Sequence, residues 1–227
     1  MKTHFEHLLD IVPDLRNRRV LDLGSGRGKF LVELAQNNVN SRGLELNRDY
    51  IQKSLFLAKE NSVSIHVDQG VGEDLSYGDS SFDFINMAEV IEHVDSPDKV
   101  MKESYRVLGA GGLVYVSVPN RFGLKDQHFD LYFINWMPRF LSEMILTFLG
   151  RHKDYGGTIG FQRLSQMHYK TYRSAKRLFL KHGFKVEDIR LKKIKQRFPG
   201  PVYYMVSFVY HLLRPWYFDS FHFLLTK

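Results

Sequence analysis

The chain has 227 residues, 44% of them hydrophobic and 25% charged, the balance of an ordinary globular protein with a sizeable core and no low-complexity tract. Zero cysteines exclude disulfides and thiolate metal sites. The acids and proline within MKTHFEHLLDIVPDL break up any apolar centre an export signal would need, so cytoplasmic residence is the expectation. The net charge of +7 is unevenly spread: residues 1–150 carry 16 basic against 21 acidic side chains, residues 151–227 carry 16 against 4, and 23 of the 32 aromatics follow residue 120.

In chain order, residues 3–12 read as a short leading helix that Pro13 stops, followed by an apolar strand at Val20–Leu23. A helix over 29–37, a strand at 41–45, a helix over 49–60 and strands at 64–68 and 82–87 come next. The helix over 97–107 has apolar positions at Val100, Met101, Tyr105 and Leu108. It ends at Gly109-Ala110-Gly111-Gly112 and feeds a strand at 113–118 that Pro119 closes. Such alternation of strand and helix predicts a parallel sheet.

From Asn120 the alternation lapses. Residues 131–149 read as helical but interrupted by Pro138, and 150–160 read as a loop. A helix over 171–182 capped by Gly183, a strand at 185–190 and a closing strand at 221–226 restore the pattern. The organisation expected is a single domain over 1–227 with cap insertions at about 121–170 and 192–218. Within the second insertion, Val202–Leu213 is an apolar run of twelve, too short for the roughly twenty residues that span a bilayer, and so a cap or interfacial helix.

The most informative segment is Val20-Leu21-Asp22-Leu23-Gly24-Ser25-Gly26-Arg27-Gly28, an apolar strand ending in an acid and three alternating glycines. Glycines permit positive φ and close approach of a ligand to backbone amides, and the helix that follows turns its positive end to that ligand. A dinucleotide fingerprint places glycine at the sixth position of G-x-G-x-x-G, where this chain has Lys29, which disfavours a dehydrogenase. Glu45, 23 residues after Asp22, suits a carboxylate that accepts hydrogen bonds from a ribose; an ordinary strand-end acid is the plainer alternative.

VLDLGSGRG, GLELN, GVGEDL, SFDFINMAEVIEHV and RVLGAGGLVYVSVPN resemble, in order and spacing, the class I S-adenosylmethionine-dependent methyltransferases of the type 11 or ubiquinone-pathway-like kind. The resemblance implies an α/β, Rossmann-like doubly wound sheet of seven strands, mostly parallel with the last strand antiparallel, bearing helical cap insertions and using S-adenosyl-L-methionine. It also implies cofactor contacts from Asp22 near the methionine end, from the backbone of Gly24, Ser25, Gly26 and Gly28, from Glu45 at the ribose, from Leu46, and from Asn86, Met87 and Ala88. The family commonly has an acid where Val71 stands, so Gly72 and Glu73 are the expected adenine neighbours, against the alternative that Glu73 and Asp74 start a helical turn.

Methyl transfer is an in-line displacement that needs alignment above all, and a hydroxyl acceptor further needs its proton removed. Glu89-Val90-Ile91-Glu92-His93 is similar to the metal-binding segment of ubiquinone-pathway O-methyltransferases, and its spacing would place both acids and the histidine on one helical face. The reading prefers His93 as a base and assigns no metal, while Glu92 and His93 could instead cap the next helix. His128, just beyond the fifth strand, is the other catalytic candidate, against a solvated loop histidine; His152 and His168 receive no role.

The cationic, aromatic C-terminal third should choose the acceptor, expected to be small, hydrophobic or lipid- or glycan-linked and methylated on oxygen. Peripheral contact with an anionic membrane is the further expectation. A nucleic-acid methyltransferase using the basic third is disfavoured because no base-reading motif is present. A non-catalytic cofactor-binding scaffold is the other rival.

Overall fold

Strands that are buried on both faces dictate the architecture. In a computed structural model describing residues 2–151, 153–154 and 161–227, every residue of β1 (Val20–Leu23) and five of the six in β4 (Phe82–Met87) are buried. Alternate side chains therefore need apolar cover on each side. Val20, Phe84, Tyr115 and Leu224 pack on one face with Phe5 and Leu8 of α1 (His4–Leu9) and with Leu31 and Leu34 of α2 (Lys29–Gln36). Leu21, Ile85, Val114 and Phe223 pack on the other with Val100 and Met101 of α4 (Pro97–Val107) and Phe179 of α6 (Tyr172–Lys181).

The remaining strands of the large sheet are β2 (Ser41–Glu45), β3 (Val67–Gln69), β5 (Leu108–Pro119), β10 (Lys185–Asp188) and β11 (Ser220–Thr226), in the order β10-β11-β5-β4-β1-β2-β3. β11 is antiparallel to both neighbours, and the other strands run one way. Chain order reverses direction across the sheet between β1 and β4, the crevice where open α/β sheets bind ligands. Asp22 and Asn86 face each other there in register.

The local signals explain most boundaries. Thr3 and Glu6 form a capping box on α1, Asn47 caps α3 (Arg48–Glu60), Ser96 with Pro97 opens α4, and Thr171 caps α6. Several expectations need correction. The leading helix is His4–Leu9, shorter than 3–12, and the third strand is Val67–Gln69 rather than 64–68, because β2 first offers a partner at Gly43 opposite Val67. The glycines at 109–112 lie inside β5, where the register against β4 shifts between Phe82 and Phe84. An extra loop of strand is absorbed as a bulge with Gly111 at φ 70°.

The strand expected over 185–190 ends at Asp188, whose side chain accepts from the N–H groups of Arg190 and Leu191 and starts α7 (Ile189–Arg197). Residues 131–149 divide at Pro138: β6 (Lys125–Asp126) and β7 (Leu131–Tyr132) form a short ladder, a single tight turn spans Ile134–Trp136, and α5 is Arg139–Phe148. Of the loop read over 150–160, residues 152 and 155–160 lie outside the described residues. β8 (Lys153–Asp154) pairs with β9 (Phe161–Gln162). The apolar run is helix α8 (Pro201–Leu213), and no helix among the described residues is long and apolar enough to cross a membrane.

Candidate active site

β1 turns into α2 through Gly24, Gly26 and Gly28, all at positive φ (71°, 54° and 76°). A Cβ on Gly24 would lie 2.7 Å from Val90 Cγ2, and one on Gly28 2.4 Å from Ser54 Cβ, so these two glycines serve close packing. A Cβ on Gly26 would meet nothing within 4 Å; of the three, this is the one that borders open space. The amides of Gly24 and Ser25 donate to the Leu44 carbonyl, and that of Gly26 donates to Glu45 Oε2 at 2.8 Å. Glu45 Oε1 accepts from the Asn47 N–H, also at 2.8 Å. The carboxylate is thereby fixed with lone pairs to spare for ribose hydroxyls. Leu46 follows it, partly exposed. Ser25 is buried, and its Oγ has no hydrogen-bond partner.

Beside this turn, Asn86 Nδ2 donates to Asp22 Oδ1 at 2.7 Å. Burial pushes the Asp22 carboxyl up to about 7; the Asn86 bond opposes the rise and the Glu45 charge adds to it. Asn86 Oδ1 lies 3.0 Å from Nε2 of His4, whose ring packs edge-on against Phe30 and Tyr115. His4 is a site neighbour that the sequence reading missed: it stands 82 residues from Asn86, and no spacing rule connects them. Met87 is fully buried in the core and Ala88 half-buried. Gly72 also faces the core, since a Cβ there would meet Leu23 and Val100 at 3.2 and 3.3 Å. Glu73 Oε1 accepts the Ser96 N–H at the start of α4, a structural bond that leaves its other oxygen for a ligand.

Beyond the carboxyl ends of β4 and β5 the two catalytic candidates meet. Residues 91–93 form a turn and 94–95 a bend, so the helical face expected for Glu89, Glu92 and His93 does not form. Glu89 is exposed at φ 57°, its N–H held by Ser117 Oγ. His128 takes the place expected for Glu89: ligating atoms of Glu92, His93 and His128 lie within 4.8 Å of one another, and this set could hold a divalent cation. The Asp126 carboxylate builds the loop that carries His128, accepting from the N–H groups of His128 and Phe129 and from Asn135 Nδ2.

The two Nε2 atoms are 3.1 Å apart, His128 Nδ1 is 2.8 Å from the Tyr169 hydroxyl, and His93 Nδ1 is 2.7 Å from Gln162 Oε1. Gln162 Nε2 donates to the His93 carbonyl, which orients its amide. One proton order satisfies the row: the Tyr169 O–H donates to His128 Nδ1, His128 Nε2–H to His93 Nε2, and His93 Nδ1–H to Gln162. Tyr169 and Gln162 also escaped the sequence reading. His168, for which the sequence offers no role, gives its backbone N–H to the Glu92 carbonyl.

Glu92 is fully buried, and neither carboxyl oxygen has a hydrogen-bond partner; Oε1 lies 3.8 and 3.7 Å from the Nε2 atoms of His93 and His128. Burial, with the Glu89 charge behind it, pushes this acid up to about 8. At neutral pH it is a neutral acid beside two imidazoles. A proton arriving on the pair would sit under 4 Å from Glu92 Oε1 and favour loss of the Glu92 proton to solvent, so the cluster can relay a proton without keeping a buried net charge.

A doubly wound sheet with a glycine turn and a buried carboxylate at its switch point, and a histidine–carboxylate cluster at the same end, is an architecture of the Rossmann-like class. A family model described as a methyltransferase domain matches residues 3–189, and the chain belongs to that family. It is 28% identical over 128 residues to a ubiquinone biosynthesis O-methyltransferase of Pelagibacter ubique, covering 55% of this chain and 52% of that one. Over 130 residues it is 31% identical to a ubiquinone/menaquinone biosynthesis C-methyltransferase of Geotalea daltonii, covering 54% and 55%. The chain thus spans about half the length of the curated relatives it matches. Among solved structures, a putative S-adenosylmethionine dependent methyltransferase from Listeria monocytogenes superposes with a TM-score of 0.62 at 17% identity, covering 98% of this chain and 96% of that one. One from Mesorhizobium loti gives 0.61 at 14%, covering 97% and 96%. At these identities the likeness is one of fold.

Proposed function

We propose that this methyltransferase uses S-adenosylmethionine to methylate a hydroxyl of a small, hydrophobic or lipid- or glycan-linked acceptor, with the His93–His128 pair taking the proton. The open space at Gly26, the fixed Glu45 carboxylate and the buried Asp22–Asn86 pair fit that cofactor: an uncluttered turn for the adenosyl group, an acceptor for two hydroxyls, and polar atoms for the amino-acid end. When bound, its sulfonium supplies an electrophilic methyl group. Glu45 and Leu46 would hold the ribose side, Gly72 and Glu73 the base, and Asn86 to Ala88 the methionine side.

The observation that carries the choice of an oxygen acceptor is the Glu92–His93–His128 cluster, because a neutral hydroxyl attacks poorly until its proton has somewhere to go. His93 receives that proton at Nε2, the unprotonated nitrogen between the two rings in this order. Tyr169 and Gln162 hold the rings in one tautomeric order, and release of the Glu92 proton to solvent would balance the imidazolium. The Pelagibacter relative is named an O-methyltransferase, which agrees with an oxygen acceptor, whereas the Geotalea relative is named a C-methyltransferase.

The test is to incubate the protein with isotopically labelled cofactor and a lipid and small-molecule extract, then identify labelled products by mass spectrometry. His128→Ala should cut turnover about 100-fold or more while cofactor affinity by calorimetry stays the same. Label on nucleic acid instead of small molecules, or a variant as active as the parent, would overturn the reading.

A further inference from the structure

Helix α8 is built inside out. Ser207 and Tyr210 are its buried residues, with the Tyr210 hydroxyl donating to Asp188 at 2.8 Å, while Met205, Phe208 and Leu212 point outward at 64%, 69% and 64% exposure. The 13-residue helix has no acid, lysine or arginine; the exposed Tyr204 and His211 are the polar side chains beside that outer face. α5 repeats the arrangement, exposing Phe140, Met144 and Phe148 along one line. An aromatic seam joins the two helices. Trp216, just past α8, packs against Trp136, just before α5, with ring centroids 5.9 Å apart; Phe122 and Phe133 extend the contact on either side.

The seam is fixed to the sheet at the end that carries the site. Asn120, one residue past β5, donates from Nδ2 to carbonyls of Pro215 and Phe218, and Trp136 Nε1 donates to the Phe122 carbonyl. Cations border the apolar face. α6 carries Arg173, Lys176, Arg177 and Lys181 and α7 carries five more, with no acid in either helix. Arg214, the C-cap of α8, completes a shallow groove of about 650 Å³ with the α6 cations and stacks on Tyr172. Asp98 takes Lys181 and Glu187 takes Lys192, but among the described residues no ion pair engages Arg173, Lys176, Arg177, Lys195 or Arg197.

We infer that the outer face of α8, continued through Trp216 and Trp136 to α5, seats on the surface of an anionic lipid bilayer, with the α6 and α7 cations meeting its headgroups. The helix is too short to span, its aromatics suit the interface, and the charge is of the sign that anionic lipid attracts. A second copy on the same face would bring two such cationic rims together, a repulsion that anionic lipid replaces with attraction. The inference stands apart from the methyl-transfer reading, since it concerns where the protein rests and not what it transfers.

The experiment floats the full chain with vesicles of phosphatidylcholine alone, or of phosphatidylcholine mixed with phosphatidylglycerol, at low and high salt. Partitioning into the mixed vesicles should be about tenfold or more above that into neutral ones and fall with salt. Phe208→Ser with Leu212→Ser should lower it about tenfold or more, and Lys195→Glu with Arg197→Glu should remove most of the preference for anionic lipid. All four positions are exposed, and circular dichroism checks that the variants fold. Failure to bind either vesicle overturns the inference. So does partitioning that both double variants leave unchanged, or sedimentation showing a dimer that the serine variant dissociates with no lipid binding by the parent.

Discussion

Replacing Glu92 by glutamine should change how stability depends on pH, with a sign that the structure fixes. In the folded protein the buried carboxyl titrates near 8, whereas in the unfolded chain it returns to its ordinary value of 4.5. Between these values the folded state holds a proton that the unfolded state has lost, so stability is greatest below the unfolded value and declines as pH rises towards 8. Each pH unit in that window is worth about 1.4 kcal/mol, so from pH 5.5 to 7.5 this one group should withdraw about 3 kcal/mol. Glutamine has the same shape and no charge to lose. Urea unfolding of parent and Glu92→Gln at pH 5.5, 6.5 and 7.5 should therefore give curves that diverge, the variant gaining about 3 kcal/mol relative to the parent over the series. Asp22, also raised, affects both proteins alike and cancels in the difference. Parallel slopes, or a parent that gains on the variant with rising pH, would mean that Glu92 is ionised in the folded state and that the proton-holding account of the cluster is wrong.

Four further outcomes are expected. Glu45→Gln keeps the acceptor for one of the two amides it serves but loses the charge, and should weaken S-adenosylmethionine binding by about 1–3 kcal/mol in calorimetry; unchanged affinity would reject its place at the ribose. Gly28→Ala forces a Cβ to 2.4 Å from Ser54 Cβ at φ 76° and should cost roughly 2–4 kcal/mol in denaturant midpoint, whereas Gly26→Ala meets only the backbone penalty of about 1–2 kcal/mol. The same Gly26→Ala should weaken cofactor binding out of proportion to its effect on stability, which a melt and a titration of one preparation will show. Tyr169→Phe removes the partner of His128 Nδ1 and should shift the pH profile of turnover more than it changes cofactor affinity.

The doubly wound core was legible because its signals are local. Val20–Leu23 and Phe82–Met87 read as buried strands from their apolar runs, and Ser96-Pro97 and Thr171 announce helix starts. Reading failed where a local signal had two meanings. Glycines 109–112 punctuate a helix equally well as they form a bulge, and Asp188 sits in an alternating strand pattern while also capping α7. The candidate site divides in the same way. The turn, Glu45, His93 and His128 follow from motif and position, but the partners that orient the histidines come from distant chain: Gln162 lies 69 residues from His93 and Tyr169 lies 41 from His128. The face that Glu89 was expected to share is absent because a left-handed residue at that position breaks off the strand and turns, not helix, follow.

The missing side chain of Gly24 has a consequence for how the two halves of the site pack together. The space where its Cβ would stand is filled by Val90, two residues ahead of Glu92, so the glycine turn and the segment leading to Glu92 and His93 share one wall. A side chain at residue 24 would have to displace Val90, and with it the segment that leads to Glu92 and His93. A single valine thus fills the gap between the glycine turn and the histidine cluster, in the place of a side chain that residue 24 does not have.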